Sequence, residues 1–193
     1  MTMPRLFLVA PAIAPELASA CVKAACAEGD VASLLVPPGL ARDLTPVAQA
    51  LGVAVLLDGE AREAMYAGCD GVQIDARAEG IDIEGIRSSM GKDRIVGAFA
   101  GHSRHFAMEA AEAGADYVAL DQNGPTTGGE PIVKWCAEFL NVPCVAFMPR
   151  TVLELDTLLP QKPDFIRPAD AMWDSESEAR RVVSELMQHL KGR

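Results

Sequence analysis

The sequence has no long apolar run, although half of its residues are hydrophobic. Its apolar runs are short, as at 53–57, whereas a helix that crosses a bilayer needs about 20 consecutive apolar residues. We therefore predict no membrane-spanning helix. A signal-peptide pattern is also missing, because a strand-like run follows Pro4 directly and no cleavage site is recognisable. We therefore expect a cytoplasmic protein.

Positive charge is scarce as well. The chain has 17 Lys and Arg against 27 Asp and Glu, which gives a formal net charge of -10. A surface that binds nucleic acid needs clustered Lys and Arg, because it must neutralise phosphates. We therefore predict no nucleic-acid partner.

Paired cysteines are the third absence. The five cysteines are an odd number, none of them forms a Cys-x-x-Cys pair, and all lie in Ala- or Val-rich surroundings. Cysteines in such surroundings behave as small core residues. The sequence therefore predicts structural cysteines, in keeping with the cytoplasm, and no thiolate metal site.

Two similar segments, at 68–75 and 114–121, show the unit from which the chain is built. Both follow the pattern Gly-x-Asp-x-Val-x-Ile/Leu-Asp, and an Ala- and Glu-rich predicted helix precedes each. The Gly can end that helix in the left-handed conformation without steric cost. The short apolar run after it stops at an acid, which is typical of a strand that is buried on both faces and ends at a polar rim. A weaker third version at 163–167 ends in Arg167.

The same alternation extends over the whole chain. The predicted strands cover 6–10, 31–36, 53–57, 72–74, 95–98, 117–120, 144–147 and 165–166. The predicted helices cover 15–28, 41–50, 60–67, 83–90, 104–113, 132–140, 152–159 and 175–190. Eight such units without a break in composition predict an α/β fold, a compact (β/α)8 TIM barrel in which residues 1–193 form a single domain. A doubly wound open sheet is disfavoured, because 10–14 lacks the Gly-x-Gly-x-x-Gly turn that usually follows its first strand.

A parallel barrel carries its chemistry at the carboxyl ends of its strands, so the strand positions give the candidate site residues. Asp58 and Asp75 come from adjacent strands and could hold one magnesium ion (Mg²⁺), which prefers a few carboxylates plus water. His102 or Asp121 would be the catalytic general base. The alternative is that these residues only form a polar rim facing solvent, since an Asp after a strand often caps the next helix.

Phosphate-binding candidates occupy the last three strand ends. Arg150 and Arg167 lie where barrels commonly bind phosphate, and a guanidinium can bind a phosphate through two N–H groups. Thr126 and Thr127, in the loop 121–129, could bind an anion through the backbone. The alternative for this loop is a flexible lid.

These segments, in this order, resemble the thiamine-phosphate synthase family, which includes a branch of thiazole tautomerases (TenI). The resemblance covers essentially the whole chain, and its motifs are specific together and weak singly. It rests on 5–9, on Asp58 with Ala64, on 68–74, 95–97, His102-Ser103, 114–118, Pro125-Thr126 and 142–146, and on 170–174. It implies a barrel of thiamine biosynthesis that acts on a small phosphorylated or heterocyclic substrate.

Several positions depart from the family pattern. The family ends its second strand with Gln-Leu-Arg-x-Lys and its third with Asn-Asp, where this chain has an apolar run into Pro37-Pro38 and has Asp58-Gly59. The acid expected near Ala78 and the lysine expected near Gly128 or Gly129 are missing, and Met148-Pro149 replaces a Gly-Gly. The histidine of the tautomerase branch is missing after the sixth strand, where Asp121 stands.

The sequence therefore leaves two functions open. The first is a transferase of the thiamine-phosphate synthase type, or a related phosphate-handling barrel enzyme, with an altered site. The second is a catalytically inactive paralogue that acts as a small-molecule binding or regulatory protein. The sequence also leaves the oligomeric state open between a monomer and a homo-oligomer.

Overall fold

The computed structural model describes residues 3–122 and 129–192. Eight parallel strands alternate with eight helices. The strands are β1 (Arg5–Val9), β2 (Val31–Val36), β3 (Ala54–Asp58), β4 (Gly71–Asp75), β5 (Ile95–Gly101), β6 (Tyr117–Leu120), β7 (Cys144–Arg150) and β8 (Phe165–Pro168). The helices are α1 (Pro15–Glu28), α2 (Pro38–Gln49), α3 (Ala61–Ala67), α4 (Ile83–Met90), α5 (Arg104–Glu112), α6 (Ile132–Phe139), α7 (Val152–Leu158) and α8 (Glu176–Lys191). Each strand pairs with the next, and β8 pairs with β1, so the barrel is closed and the predicted (β/α)8 fold is confirmed.

The start of α2 corrects one expectation. The sequence predicted that Pro37-Pro38-Gly39 would stay outside the helix, but α2 begins at Pro38. Proline is well placed in a first helical turn, because the N–H that it lacks has no acceptor there and its fixed φ suits the helix. The second strand is therefore followed by a helix with almost no loop between them.

Two strands extend further towards the rim than predicted. β5 continues to Gly101 and β7 continues to Arg150, each three residues past its expected end. Both have an irregular register near that end. As a result, Phe99 and Arg150 are part of the barrel wall, which fixes their direction more firmly than a loop would.

The helices form the outer layer. In α8 the buried residues recur at helical spacing and pack against α1, as expected for an amphipathic helix. Ser175 caps this helix by accepting a hydrogen bond from the backbone N–H of Glu178. Within the described part of the chain, every helix is too short or too polar to cross a bilayer.

The interior of the barrel has its own apolar cluster, formed by Phe7, Leu35, Leu56, Tyr117, Ala119 and Val145. Phe7 contacts the rings of Tyr117 and Phe147, with centroids 5.6 and 6.3 Å apart. Side chains of opposite strands thus fill the barrel, as in other parallel barrels, and the lumen is a packed core rather than a pore.

One polar pair lies inside this core. The Tyr117 hydroxyl donates a hydrogen bond of 2.9 Å to Gln73 Oε1, and Gln73 is 2% exposed. The Tyr117 ring passes so close to β5 that a Cβ on Gly97 would lie 2.0 Å from its Cζ. Gly97 is therefore required for Tyr117 of β6 to pass over β5 and reach its partner on β4.

Candidate active site

The carboxyl ends of the strands bring most of the predicted site residues to one mouth of the barrel. The six that the structure describes there are Asp58, Asp75, His102, Asp121, Arg150 and Arg167. Thr126 and Thr127 lie outside the described residues. The predicted groups therefore share one face, but they form separate clusters with different chemistry.

The first cluster is an ion pair that the sequence reasoning missed. Arg77 binds Asp75 through two parallel hydrogen bonds, from Nε to Oδ1 and from Nη2 to Oδ2, both 2.8 Å long. The backbone N–H of Arg77 also donates to Asp75 Oδ1. These hydrogen bonds from Arg77 hold the pKa of Asp75 below its ordinary value. The Asp-x-Arg spacing after β4 is the signal that could have revealed the pair.

The surroundings of Asp58 affect its pKa in the opposite direction from those of Asp75. Within residues 3–122 and 129–192, its carboxylate has neither an ion pair nor a hydrogen bond. Partial desolvation, and then the charge of Asp75, raise the pKa of Asp58 above its ordinary value. Asp58 therefore accepts a proton more readily than Asp75, whose pKa is lowered.

As arranged, this donor set does not fit a magnesium ion. Both oxygens of Asp75 are engaged by Arg77, which leaves Asp58 as the only carboxylate of the predicted pair with open oxygens. Among the residues described, no three His, Cys, Asp or Glu side chains are grouped so that they could hold a metal. Mg²⁺ at Asp58 and Asp75 stays an untested prediction.

The two catalytic candidates contact each other. His102 Nε2 lies 3.1 Å from Asp121 Oδ2, and His102 Nδ1 is hydrogen-bonded to the backbone carbonyl of Asp121. A carbonyl oxygen only accepts, so Nδ1 carries a proton. The imidazole and the carboxylate thus lie within reach of each other, as a pair in general acid–base chemistry must.

The Arg150 side chain is held by one residue that follows β6 and by one residue of α7. Its Nη2 donates to Gln122 Oε1 over 2.8 Å, and its Nη1 donates to Glu154 Oε1 over 3.3 Å. Only 12% of the side chain is exposed. Its Nε is buried and has no hydrogen-bond acceptor in the described part of the chain. Gln122 is thus a second site residue that the sequence reasoning did not single out.

Arg167 repeats this arrangement on the next strand. Its Nη2 pairs with Asp170 Oδ1 at 2.7 Å, and its guanidinium lies 5.4 Å from the centroid of the Phe147 ring. Its Nε is also buried and lacks an acceptor among the residues described. Buried polar groups in folded proteins are normally hydrogen-bonded. The Nε groups of these two arginines, on neighbouring strands, are thus unsatisfied within the part of the chain that the structure describes.

Two aromatic rings form the floor of the mouth. Phe99 and Phe147 contact each other with centroids 5.1 Å apart. Each ring also carries a guanidinium, because Arg77 lies 4.6 Å from the Phe99 centroid and Arg167 lies over Phe147. The floor is therefore apolar, and guanidinium groups lie at its edges.

Comparison with known proteins agrees with this architecture. A family model described as thiamine monophosphate synthase matches residues 38–147. The thiamine-phosphate synthase of Rhodospirillum centenum is 33% identical over 209 residues, which cover 100% of both chains. That of Hyphomonas neptunium is 34% identical over 157 residues, which cover 76% of this chain and 70% of the relative.

Solved structures show the same fold at lower identity. Thiamine phosphate pyrophosphorylase from Pyrococcus furiosus superposes with a TM-score of 0.78 at 20% identity, over 98% of this chain and 96% of that one. KGPDC from Streptococcus mutans, in complex with D-R5P, superposes with a TM-score of 0.80 at 11% identity, over 99% of both chains.

Proposed function

Because this chain belongs to the thiamine-phosphate synthase family, we propose that it is a transferase of thiamine biosynthesis that binds a small phosphorylated heterocycle at the mouth of its barrel. The phosphate group would lie against the ends of β7 and β8, and the ring would lie on Phe99 and Phe147.

The observation that carries the proposal is the pair of guanidinium groups of Arg150 and Arg167, which lie at the ends of the neighbouring strands β7 and β8. Phosphoryl oxygens are strong acceptors for hydrogen bonds from such groups. Glu154 and Asp170 already hold the two guanidinium groups in place, so little side-chain entropy is lost when a ligand binds.

His102 and Asp121 would supply the proton transfer. The two side chains contact each other where β5 and β6 end. In a synthase-type reaction a diphosphate leaves, and cations stabilise the negative charge that develops on it. Arg150 and Arg167 are fixed before the substrate arrives, as such stabilisation requires.

A second candidate function has its own supporting observation. Phe99 contacts Phe147 across the mouth, and Met148 and Pro37 are half-buried at the rim. Such a floor could close the pocket to a second substrate, which would leave a non-catalytic paralogue that binds one small molecule. A non-catalytic protein would also explain why the family's cation after β2 and its loop lysine are missing from this sequence.

The test is a thermal-shift screen followed by a coupled synthase assay. The panel contains thiazole phosphate, pyrimidine phosphate, thiamine phosphate, pyrophosphate and inorganic phosphate. A ligand that binds only the folded state raises Tm by mass action. Arg150→Gln and Arg167→Gln should each weaken binding about 10- to 100-fold, whereas Arg62→Gln on the outer helix α3 should bind like the wild type.

The outcomes separate the two functions. Ligand-dependent Tm shifts together with turnover in the coupled assay support the transferase. Shifts without turnover support the binding protein. A well-folded wild type that responds to none of the five ligands would contradict both, and the link to thiamine chemistry would then be dropped for this chain.

We place this activity in the cytoplasm and expect no nucleic-acid partner. The described cysteines are free thiols, which suits a reducing compartment, and the net charge of -10 disfavours a phosphate backbone. A homo-oligomer stays a prediction.

A further inference from the structure

We propose that Arg77 is a phosphoryl-binding cation of this site and occupies the place that a magnesium ion would otherwise take beside Asp75. This inference rests on the proposed function, because it assumes that a phosphorylated ligand enters the mouth. It adds a second anion-binding position, between the ends of β4 and β6, to the one at β7 and β8.

Arg77 is held in a defined orientation by three neighbours. Asp75 binds one edge of the guanidinium, and the ring of Phe99 lies 4.6 Å below its Cζ. Gly101 provides the space, because a Cβ there would lie 3.2 Å from Arg77 Cδ. Gly101 also has a φ of +58°, which disfavours a side chain at this position. The Arg77 side chain therefore lies over the end of β5, against Phe99 and Gly101.

The other edge of the guanidinium is open. A guanidinium has five N–H donors, and Asp75 uses only those on the Nε and Nη2 side. Arg77 Nη1 has no acceptor within the residues that the structure describes. The side chain is 47% exposed, so a ligand can reach this edge. Arg77 can thus bridge a carboxylate and a phosphoryl group, as a carboxylate-bound metal ion does.

An anionic ligand in this part of the mouth needs a cation beside it, because the neighbouring side chains are negatively charged. Asp58, Asp75 and Asp121 all lie in this sector, and three carboxylates would repel a phosphate. Hydrogen bonds to Asp75, and the charges of Asp75 and Asp121, raise the pKa of Arg77 further, so the guanidinium stays charged. A purely structural role is a weaker explanation, because an exposed ion pair contributes little to stability.

The test is isothermal titration of thiamine phosphate and of pyrophosphate, first in EDTA and then in Mg²⁺. We compare wild type, Arg77→Gln and the control Arg62→Gln, which removes another exposed arginine that lies over an aromatic ring, here Tyr66. In EDTA the wild type and the control should bind equally, and Arg77→Gln should bind at least tenfold more weakly. Arg77→Gln also frees Asp75 beside Asp58, so Mg²⁺ should restore part of the affinity in this variant only.

Three results would overturn the inference, and one of them also overturns the proposed function. If Arg77→Gln binds like the wild type in EDTA, Arg77 does not bind the phosphoryl group. If the wild type binds only when Mg²⁺ is present, the metal site is intact and the proposed function stands without Arg77. If the wild type binds neither ligand in either buffer, the proposed function fails as well. Thermal unfolding of each variant checks that it is folded.

Discussion

Asp116 Oδ2 accepts a hydrogen bond of 2.7 Å from the backbone N–H of Val96 and thereby joins the start of β6 to β5. The same contact occurs twice more, from Val55 N–H to Asp70 Oδ2 and from Cys144 N–H to Asp164 Oδ2. In each case the Asp that precedes an even-numbered strand binds the strand before it. This explains why an Asp recurs after the Gly or Pro that starts these repeats.

Asp116→Ala should therefore lower the free energy of unfolding by about 1–2 kcal/mol, because the Val96 N–H loses its acceptor. Arg87 would also lose its ion-pair partner. Asp116→Asn keeps an oxygen acceptor and should lose less. Urea unfolding midpoints measure the difference. Equal midpoints for wild type and Asp116→Ala would show that the contact contributes nothing to stability.

Gly97→Ala should destabilise the barrel, because its Cβ would lie 2.0 Å from the ring of Tyr117. Overpacking of this kind costs about 1–3 kcal/mol, and the hydrogen bond from Tyr117 to Gln73 would be disturbed. Gly39→Ala is the matched control, since no atom lies within 4 Å of its added Cβ and the residue is helical. That control should be neutral or stabilising by about 0.4–1 kcal/mol. Chemical unfolding of both variants under one set of conditions tests the contrast.

The fold could be predicted from the sequence because its signals are local. Each strand and helix is marked by its own glycine, proline or acid, and the alternation of elements fixes the order of a parallel barrel. The rim residues could be predicted for the same reason, since they directly follow the strands in the sequence. It also explains the error at α2, where Pro38 is compatible with both a turn and a helix start.

Contacts between distant segments could not be predicted in this way. Gln122 meets Arg150 only because β6 and β7 are neighbours and β7 runs on to Arg150. Tyr117 on β6 reaches Gln73 on β4 over the intervening strand β5, which no local pattern encodes. The pairing of Arg77 with Asp75 is local in sequence, but it depends on the conformation of the turn after β4.

Asp58→Asn should raise Tm at pH 7. The folded protein raises the pKa of Asp58, so the ionised group opposes folding above that folded pKa. This cost disappears as the pH falls through the folded pKa towards the ordinary value of about 3.9. The Tm gain of the variant over wild type should therefore shrink between pH 7 and pH 4. A gain that is independent of pH would contradict this explanation.

Asp75→Asn should show the opposite sign, because Arg77 lowers the pKa of Asp75. The ionised group favours folding above the ordinary value of about 3.9, and this contribution is lost as the pH falls through the lower folded pKa. The variant should have a slightly lower Tm than wild type at pH 7, because about half of the ion pair is exposed and solvent screens it. Its deficit should shrink below about pH 3.9. Scanning calorimetry of Asp58→Asn and Asp75→Asn over the same pH series tests both signs together.

His102→Gln should separate proton transfer from binding. Loss of a general acid–base group typically lowers kcat about 10²- to 10⁴-fold, whereas ligand affinity should change little, because Arg150 and Arg167 hold the phosphate. His105→Gln is the matched control, since its side chain is 71% exposed on α5. The coupled synthase assay gives kcat, and titration of thiamine phosphate gives the affinity. Unchanged turnover in His102→Gln would show that another group transfers the proton. Asp58 would then be the next candidate, because its pKa is raised.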